Sequence, residues 1–216
     1  EQAILTARRA EKDYLLRYKE IGFDEARTTY VTAVHEQVAQ IVEMLDLLEH
    51  DDMTPAQIAQ AETMLQAVTE YDSLFGATVD LIEQRGFVDV GLEGEFREKV
   101  HAIEDAINMY DDTLLLSDLL MIRRHEKDYM LRGLEKYVIA LDEAVQKLHT
   151  DVTASNLSAA DKSMIAALLD DYQVSFHDLV LLDTQISASI EQFRSTIHSA
   201  EPLIEAYRNA EIEQQS

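Results

Sequence analysis

The residues best suited to chemistry in this sequence are arginines that belong to a doubled motif. The ten residues from Arg8 to Arg17 return at Arg123 to Arg132 with eight identities. Guanidinium groups bind carboxylates through paired, charge-assisted hydrogen bonds, so arginines that converge from different helices make a site for an organic anion. The motif therefore indicates a carboxylate-binding site.

Further arginines recur at equivalent places, in the Phe-Arg pairs at 96–97 and 193–194. We expect a small carboxylate ligand, most simply a dicarboxylate, because two carboxylates need opposed cations and the repeat supplies them from facing helices. An alternative stays open, in which the first arginine of each motif pairs with the glutamate three residues further along its own helix. The candidate ligand-binding residues are Arg8, Arg9, Lys12, Arg97, Arg123, Arg124 and Arg194.

Aromatic residues and histidines also recur between the two halves of the chain. Aromatic side chains at helical spacing are most often core residues, and this interpretation competes with that of a second, smaller ligand site. The candidate residues of the second site are Tyr30, His35, Tyr71, Tyr137, Tyr172 and His177.

The sequence predicts no enzyme, no cofactor and no metal site. A Glu-x-x-His motif occurs once, at Glu98 and His101, whereas a ferritin-like di-iron site needs two. The chain has no cysteine, no His-Glu-x-x-His, no glycine-rich phosphate loop and no Gly-x-Ser-x-Gly. We therefore predict no catalytic residue and no metal ligand.

The charge balance excludes a general nucleic-acid-binding protein. The 216 residues carry 42 acidic and 18 basic side chains, a formal net charge of -24, which repels phosphate backbones. With 47% hydrophobic residues but only 6 glycines and 2 prolines, the chain lacks the frequent turns of an all-β protein. Helices are therefore expected throughout.

The apolar residues recur at helical spacing, in alternating steps of three and four, as in the stripe Val31, Val34, Val38, Ile41, Leu45 and Leu48. The same spacing predicts a core face on the helix of each motif and turns Arg9 away from it; the core residues are Ile4, Ala7, Glu11, Tyr14 and Tyr18, repeated as Leu119, Ile122, Glu126 and Tyr129. We predict breaks near 50–54, 85–92, 109–113, 151–158 and 183–189, and hence six helices. Thr54 and Ser158 have the sequence context of N-caps.

The repeat organises the whole chain as two copies of one unit, roughly 1–108 and 113–214. We expect each copy to rise through one long helix, 1–49 or 113–150, and to return through the rest. A helix of 49 residues would be roughly 73 Å long, too long for one bundle layer. The predicted fold is therefore all-α, with six helices in two stacked four-helix bundles.

The predicted modules divide the chain into a membrane-proximal part, about 1–21, 92–132 and 187–216, and a membrane-distal part, about 22–85 and 133–186. Thirteen of the 18 basic residues fall in the membrane-proximal module under this division. Both termini would lie at its foot, where helices that continue beyond this sequence would enter a membrane.

The doubled Arg-Arg-x-Glu-Lys-Asp-Tyr-[Leu/Met]-Leu-Arg, on a duplicated helical unit, resembles the helical bimodular sensor domain of bacterial methyl-accepting chemotaxis receptors. The resemblance implies a periplasmic domain of an inner-membrane protein, homodimeric in the full-length receptor, with membrane spans on either side. It further implies signalling across the membrane in response to small organic acids, with tricarboxylic-acid-cycle intermediates in the proximal module and acetate in the distal one.

Transferred to this chain, the resemblance places ligand arginines at Arg8 or Arg9, at Arg123 or Arg124, and at Arg194. An alternative function is also implied, since such domains occur on histidine kinases. The domain would then recognise a periplasmic binding protein through its outer surface instead of a free small molecule.

Overall fold

A computed structural model describes the backbone of residues 2–47 and 53–214, and the side chains of these residues except 204, 205 and 207–214. This part of the chain is helical almost throughout and forms no strand. Its helices are α1 (Gln2–Ile21), α2 (Phe23–Ala26), α3 (Thr32–Asp46), α4 (Pro55–Arg85), α5 (Gly91–Asn108), α6 (Thr113–Arg132), α7 (Glu135–Ala154) and α8 (Ala159–Gln214). A π-helical turn, Arg27–Val31, joins α2 to α3 without interruption.

Two glycines divide the helices that were expected to rise without a break. Gly22 (φ 88°) and Gly133 (φ 62°) have left-handed backbone conformations, which glycine adopts without steric cost. Each donates its N–H to a carbonyl four residues back, of Tyr18 or Tyr129, and so ends its helix. The predicted continuous helices 1–49 and 113–150 are therefore wrong, since each is two helices.

The chain reverses direction at both glycines. Ile4, at the start of α1, lies beside Ile41, at the end of α3, in the same small internal void. Asp118, near the start of α6, likewise accepts a hydrogen bond from Lys147, near the end of α7. α1 with α3, and α6 with α7, are therefore antiparallel hairpins.

Most of the other predicted breaks are confirmed. The turn between α4 and α5 spans 86–90, and in it Gly86 (φ 73°) is required because a Cβ would overlap the carbonyl of Val90. Thr54 and Gln57 form reciprocal capping hydrogen bonds at the start of α4. Ser158 caps α8 by accepting from the N–H of Asp161. The first residues of the predicted break at 50–54, and Leu48, lie outside the described residues.

The break predicted near 183–189 is wrong, because α8 runs from Ala159 to Gln214 without interruption. With α2, the π-helical turn and α3 counted as one continuous helix, the described residues contain seven helices instead of six. The expectation of a break came from the glycine-rich turn of the first copy, and the second copy has no glycine at that point.

The chain forms two compact units, each with a bundle-like hydrophobic core. Unit 1 comprises Glu1–Glu83 and Gln185–Ser216, and unit 2 comprises Gln84–Thr184. The core of unit 1 takes side chains from α1, α2, the π-helical turn, α3, α4 and the second half of α8. That of unit 2 takes them from α5, α6, α7 and the first half of α8.

The C-terminal helical segment of each repeat copy, α5 in the first copy and the second half of α8 in the second, packs in the unit that contains the start of the other copy. Phe193, from the end of the second copy, contacts the rings of Tyr71 and Phe75 in unit 1, with centroid distances of 6.0 and 5.8 Å. Phe96, its counterpart in the first copy, stacks on Tyr172 in unit 2 at 4.9 Å. The repeat therefore uses equivalent aromatic contacts in both units, with the final helices exchanged.

The observed units group the helices differently from the predicted membrane-proximal (1–21, 92–132, 187–216) and membrane-distal (22–85, 133–186) modules. The reversals at Gly22 and Gly133 cause this, because they return each hairpin to the unit in which it began. The uneven distribution of basic residues disappears as a result, since unit 1 holds eight of the 18 and unit 2 holds ten.

Candidate functional site

The first helix of the repeat carries a buried glutamate in the middle of its core face. Glu11 is 1% exposed and lies in the stripe of Ile4, Ala7 and Tyr14, which the sequence predicts. In unit 2, Glu126 is 0% exposed in the equivalent stripe of α6. A buried carboxylate must be hydrogen-bonded or paired with a cation, so its partners define the polar centre of each unit.

In unit 1, the partners of Glu11 come from two other helices. The Tyr71 hydroxyl on α4 donates to Glu11 Oε2 at 3.2 Å. The Arg194 Nε on α8 donates to Oε1 at 3.4 Å, and the Arg194 side chain is 44% exposed. Arg194 is therefore a loosely held cation that joins the core carboxylate to the solvent.

Arg8 lies one turn before Glu11 and points toward α8. It donates to Glu201 and lies 3.5 Å from Nε2 of His198, whose Nδ1 is 3.0 Å from the same glutamate. We call the set of Arg8, Glu11, Arg194, His198 and Glu201 the α1–α8 seam. It places two guanidinium groups and an imidazole at one partly exposed junction between two helices.

The equivalent set in unit 2 is the α5–α6 seam, formed by Arg97, His101, Glu104, Arg123 and Glu126. Arg123 donates to Glu126 Oε2 at 2.5 Å and contacts Glu104, the counterpart of Glu201, at 3.3 Å. One arginine therefore holds two carboxylates. The pairing with the glutamate three residues on, left open by the sequence, is present here.

Glu126 has two further partners in unit 2. The Tyr172 hydroxyl donates to Oε2 at 3.2 Å, as Tyr71 does to Glu11. Lys127 Nζ lies 2.9 Å from Oε1, close enough for an ion pair but not aligned for a hydrogen bond. Arg97, the counterpart of Arg194, instead pairs with Asp89 at 3.2 Å, in the turn before α5.

The remaining predicted ligand cations point outward, into solvent. The Arg9 side chain is 86% exposed and approaches Asp13 only at 4.0 Å. Lys12 and Arg124 are exposed, and neither contacts a carboxylate of the described residues. The structure thus assigns the seven candidates to two units, four in unit 1 and three in unit 2, and turns three of them away from the seams.

The two tyrosines of the seams are held in their neutral form. Burial, together with the nearby Glu11 carboxylate, raises the pKa of the Tyr71 phenol, and Arg8 opposes this shift. Burial and Glu126 raise the pKa of Tyr172 in the same way. Each phenol therefore remains a hydrogen-bond donor to its glutamate at neutral pH.

The aromatic residues of the predicted second site fall into two groups. Tyr71 and Tyr172 are core residues, 1% exposed, in agreement with the alternative interpretation. Tyr30 and Tyr137 are half-buried and accept hydrogen bonds from the last arginine of each motif, Arg17 at 3.5 Å and Arg132 at 2.7 Å. The structure therefore does not bring these aromatic residues together in one pocket.

The two histidines of the second site pair with carboxylates at the surface. His35 Nδ1 lies 2.6 Å from Asp72, and His177 Nε2 lies 2.9 Å from Asp142. Beside His35, an open groove of about 530 Å³ runs between α3 and α4 over Val38, Ala39, Val42 and Thr69. Glu43, Asp46 and Asp72 make it acidic, so it does not suit an organic anion.

Sequence reasoning missed Glu201 and His198 as members of the site. Their signal was present, because Glu104 and His101 occupy the equivalent positions of the first copy. The His198 side chain is 57% exposed and lies beside Glu201 at the surface of the seam. The two buried tyrosine–glutamate hydrogen bonds were missed because tyrosine and glutamate lie on different helices.

Among the described residues, no group of three or more histidine, aspartate or glutamate side chains could hold a metal ion. None of the described helices has an apolar stretch long enough to cross a lipid bilayer. No model of a known protein family, no curated protein and no solved structure gives a significant match to the chain.

Proposed function

We propose that the chain is a ligand-binding sensor domain that recognises a small organic acid at the α1–α8 seam of unit 1. The observation that supports this most directly is the convergence of Arg8, Arg194 and His198 from two helices in a protein of net charge -24. The resemblance to chemoreceptor sensor domains supports dicarboxylates or acetate as ligands and a periplasmic position.

The seam of unit 1 is better suited to a ligand than that of unit 2. Arg194 is 44% exposed and holds Glu11 at 3.4 Å, so a ligand carboxylate can reach it without breaking a strong contact. Arg123 is 19% exposed and already neutralises two carboxylates. A carboxylate ligand would compete with Glu201 for Arg8 and extend toward Arg194.

A ligand at this seam would bridge α1 and the second half of α8. A binding event shifts a conformational equilibrium only by its differential affinity for the two states. A dicarboxylate that contacts Arg8 and Arg194 together favours the arrangement of α1 and α8 in which the distance between the two guanidinium groups matches the distance between the two carboxylates of the ligand. The proposed signal is therefore a change in the relative position of α1 and α8.

Isothermal titration calorimetry with succinate and with acetate tests the proposal. The parent chain is compared with Arg8→Ala and Arg194→Ala, with Arg97→Ala as a matched control from the seam of unit 2. Each charge-assisted hydrogen bond contributes roughly 1.5 to 3 kcal/mol, so each seam variant should bind at least about tenfold more weakly. The control should bind like the parent.

Thermal unfolding in the presence of each acid provides an independent check. A ligand at about 100 times its Kd stabilises the folded state by about 2.7 kcal/mol, which raises the melting temperature. Circular dichroism of the variants without ligand establishes that they fold. If neither acid binds the parent, or if both seam variants bind as well as the parent, this site is wrong.

A further inference from the structure

The repeat preserves a solvent-exposed stripe on α1 and α6 better than it preserves most of the apolar core beside it. The stripe consists of a leucine, an arginine, a lysine and a leucine, identical in both copies: Leu5, Arg9, Lys12 and Leu16 on α1, and Leu120, Arg124, Lys127 and Leu131 on α6. We call these the α1 stripe and the α6 stripe.

Core positions in the same stretch have changed between the copies. Ile4, Ala7, Ala10 and Leu15 of α1 correspond to Leu119, Ile122, His125 and Met130 of α6. The buried glutamate is kept, and its hydrogen bond from a tyrosine across the core explains this in both copies. The tyrosine three residues later is also kept, and it is buried in both copies. No packing requirement explains the identity of the exposed leucines, so a contact outside the chain is the remaining physical reason.

The geometry of each stripe matches one face of a helix–helix contact. Its residues follow steps of four, three and four, so they lie within one narrow face, opposite the core. Leu5 and Leu16 are 59% and 74% exposed, and Leu120 and Leu131 are 59% and 78% exposed. The two leucines of a stripe are separated by about 16 Å along the helix axis, at 1.5 Å per residue.

We propose that each stripe docks an amphipathic helix of another protein that carries leucines at the ends of its contact face and carboxylates in the middle. The leucines of the stripe supply apolar contacts at both ends, and the arginine and lysine between them supply the complementary charge. This docking does not depend on the proposed carboxylate site, because Arg9 and Lys12 of the α1 stripe point away from the α1–α8 seam. The α6 stripe lies in unit 2, where Lys127 also contacts Glu126.

The charge of the stripes and of the chain disfavours three other binding partners, namely a second copy of the chain, nucleic acid and anionic lipid. Two copies of a stripe placed face to face bring Arg9 and Lys12 of one against those of the other, and like charges in contact are unfavourable. Nucleic acid and anionic lipid surfaces would meet the repulsion of a chain with a net charge of -24. An acidic helix small enough to contact only the stripe avoids most of that repulsion.

The test uses the full 216-residue chain and a fluorescent synthetic helical peptide with the face Leu-x-x-x-Glu-x-x-Glu-x-x-x-Leu. A second peptide carries lysine in place of both glutamates. Fluorescence anisotropy measures the affinity of the parent, of the stripe variant Arg9→Glu/Arg124→Glu and of the control variant Arg17→Glu/Arg132→Glu. Arg17 and Arg132 are 55% and 52% exposed and lie on a different side of α1 and α6 from the stripes, and both variants change the net charge equally.

We expect saturable binding of the acidic peptide to the parent and to the control variant, and binding at least about tenfold weaker to the stripe variant. Added salt should weaken the binding, and the lysine peptide should not bind. Circular dichroism must show that both variants have the helicity and melting temperature of the parent.

Three results would overturn the proposal. The first is no saturable binding of the acidic peptide to the parent. The second is equal affinity of the stripe and control variants for the acidic peptide, which would show that binding depends on the net charge of the chain and not on the stripe. The third is self-association of the parent, measured by sedimentation velocity, that the stripe variant abolishes, because the occupant would then be a second copy of the chain.

Discussion

The α1–α8 seam of unit 1 and the α5–α6 seam of unit 2 are built from equivalent residues that pair differently. In unit 1, two arginines each hold one carboxylate, Arg8 with Glu201 and Arg194 with Glu11. In unit 2, Arg123 alone holds both carboxylates. The same residue types therefore form two separate ion pairs in one unit, of which only that of Arg194 is long and accessible, and a single ionic cluster around Arg123 in the other.

The difference arises outside the seams, in the chain that precedes the last helix of each copy. In the first copy, the turn 86–90 places Asp89 next to Arg97, so this arginine pairs with Asp89 and not with Glu126. In the second copy, the equivalent position is Ile186, inside the uninterrupted α8, so Arg194 remains available to Glu11. A single turn thus changes which arginine neutralises a buried carboxylate.

The largest expected effect is a loss of stability at alkaline pH, and it involves buried tyrosines in both units. Burial raises the pKa of Tyr14, Tyr71, Tyr129 and Tyr172, two in each unit. The unfolded chain releases these protons near pH 10, whereas the folded chain keeps them, so stability present below that pH is lost above it. Each of the four phenols lowers the free energy of unfolding by about 1.4 kcal/mol per pH unit above 10, roughly 6 kcal/mol in total at pH 11.

Spectrophotometric titration of tyrosine and circular dichroism together check this prediction. We expect part of the tyrosinate absorbance to appear only with a cooperative loss of helicity in the alkaline range. Smooth ionisation of all tyrosines near pH 10, with helicity intact, would contradict the burial of these four residues.

The comparison of the seams predicts unequal effects for two equivalent arginines. Arg123→Ala leaves Glu126, which is 0% exposed, with only Lys127 and Tyr172, and should lower the free energy of unfolding by about 3 kcal/mol. Arg8→Ala removes a partly exposed ion pair and should cost about 1 kcal/mol. Urea unfolding measures both, and equal losses would remove the distinction between the seams.

The two tyrosine–glutamate hydrogen bonds should contribute equally. Tyr71→Phe and Tyr172→Phe each remove a 3.2 Å donor from a buried carboxylate and should each cost about 2 kcal/mol in urea unfolding. A much larger loss at Tyr71 would show that Arg194 neutralises Glu11 less well than Arg123 and Lys127 neutralise Glu126.

The smallest expected effect is a difference in stability between phenylalanine substitutions at a second pair of equivalent tyrosines, Tyr14 and Tyr129. The Tyr129 hydroxyl donates to Asp183 at 3.2 Å, whereas the buried Tyr14 hydroxyl has no hydrogen-bond partner among the described residues. Tyr129→Phe should cost about 1 kcal/mol, and Tyr14→Phe should be neutral or stabilising by up to about 1 kcal/mol. Thermal and urea unfolding of the two variants decide this, and a destabilised Tyr14→Phe would indicate an unseen partner, such as water.

Several features of the fold and the site could be predicted because they depend on neighbours in sequence. Helical periodicity placed Ile4, Ala7, Glu11 and Tyr14 on the core face of α1 and turned Arg9 away from it, as observed. The caps at Thr54 and Ser158 are likewise local hydrogen bonds. The motif and its repeat were visible without any coordinates.

Gly22 and Gly133 could have been recognised as helix ends, since each follows a helical stretch with a basic residue in its last turn. The length of an unbroken helix was instead inferred from apolar spacing that continues on both sides of each glycine. That spacing cannot distinguish one long helix from two antiparallel ones, because both bury the same stripe.

By itself, the sequence determined the helical character, the doubled unit and the core face of each motif, because all three can be read from residue types along the chain without knowing any long-range contact. Only the tertiary structure decided which helices share a unit and which arginine meets which glutamate. Those pairings depend on chain reversals at two glycines and on one turn before α5, and they join residues as far apart as Glu11 and Arg194. A charged side chain with several possible partners pairs with the one that the packing of the helices brings close to it. This packing depends on all the helices of the unit, so it cannot be read from a short stretch of sequence.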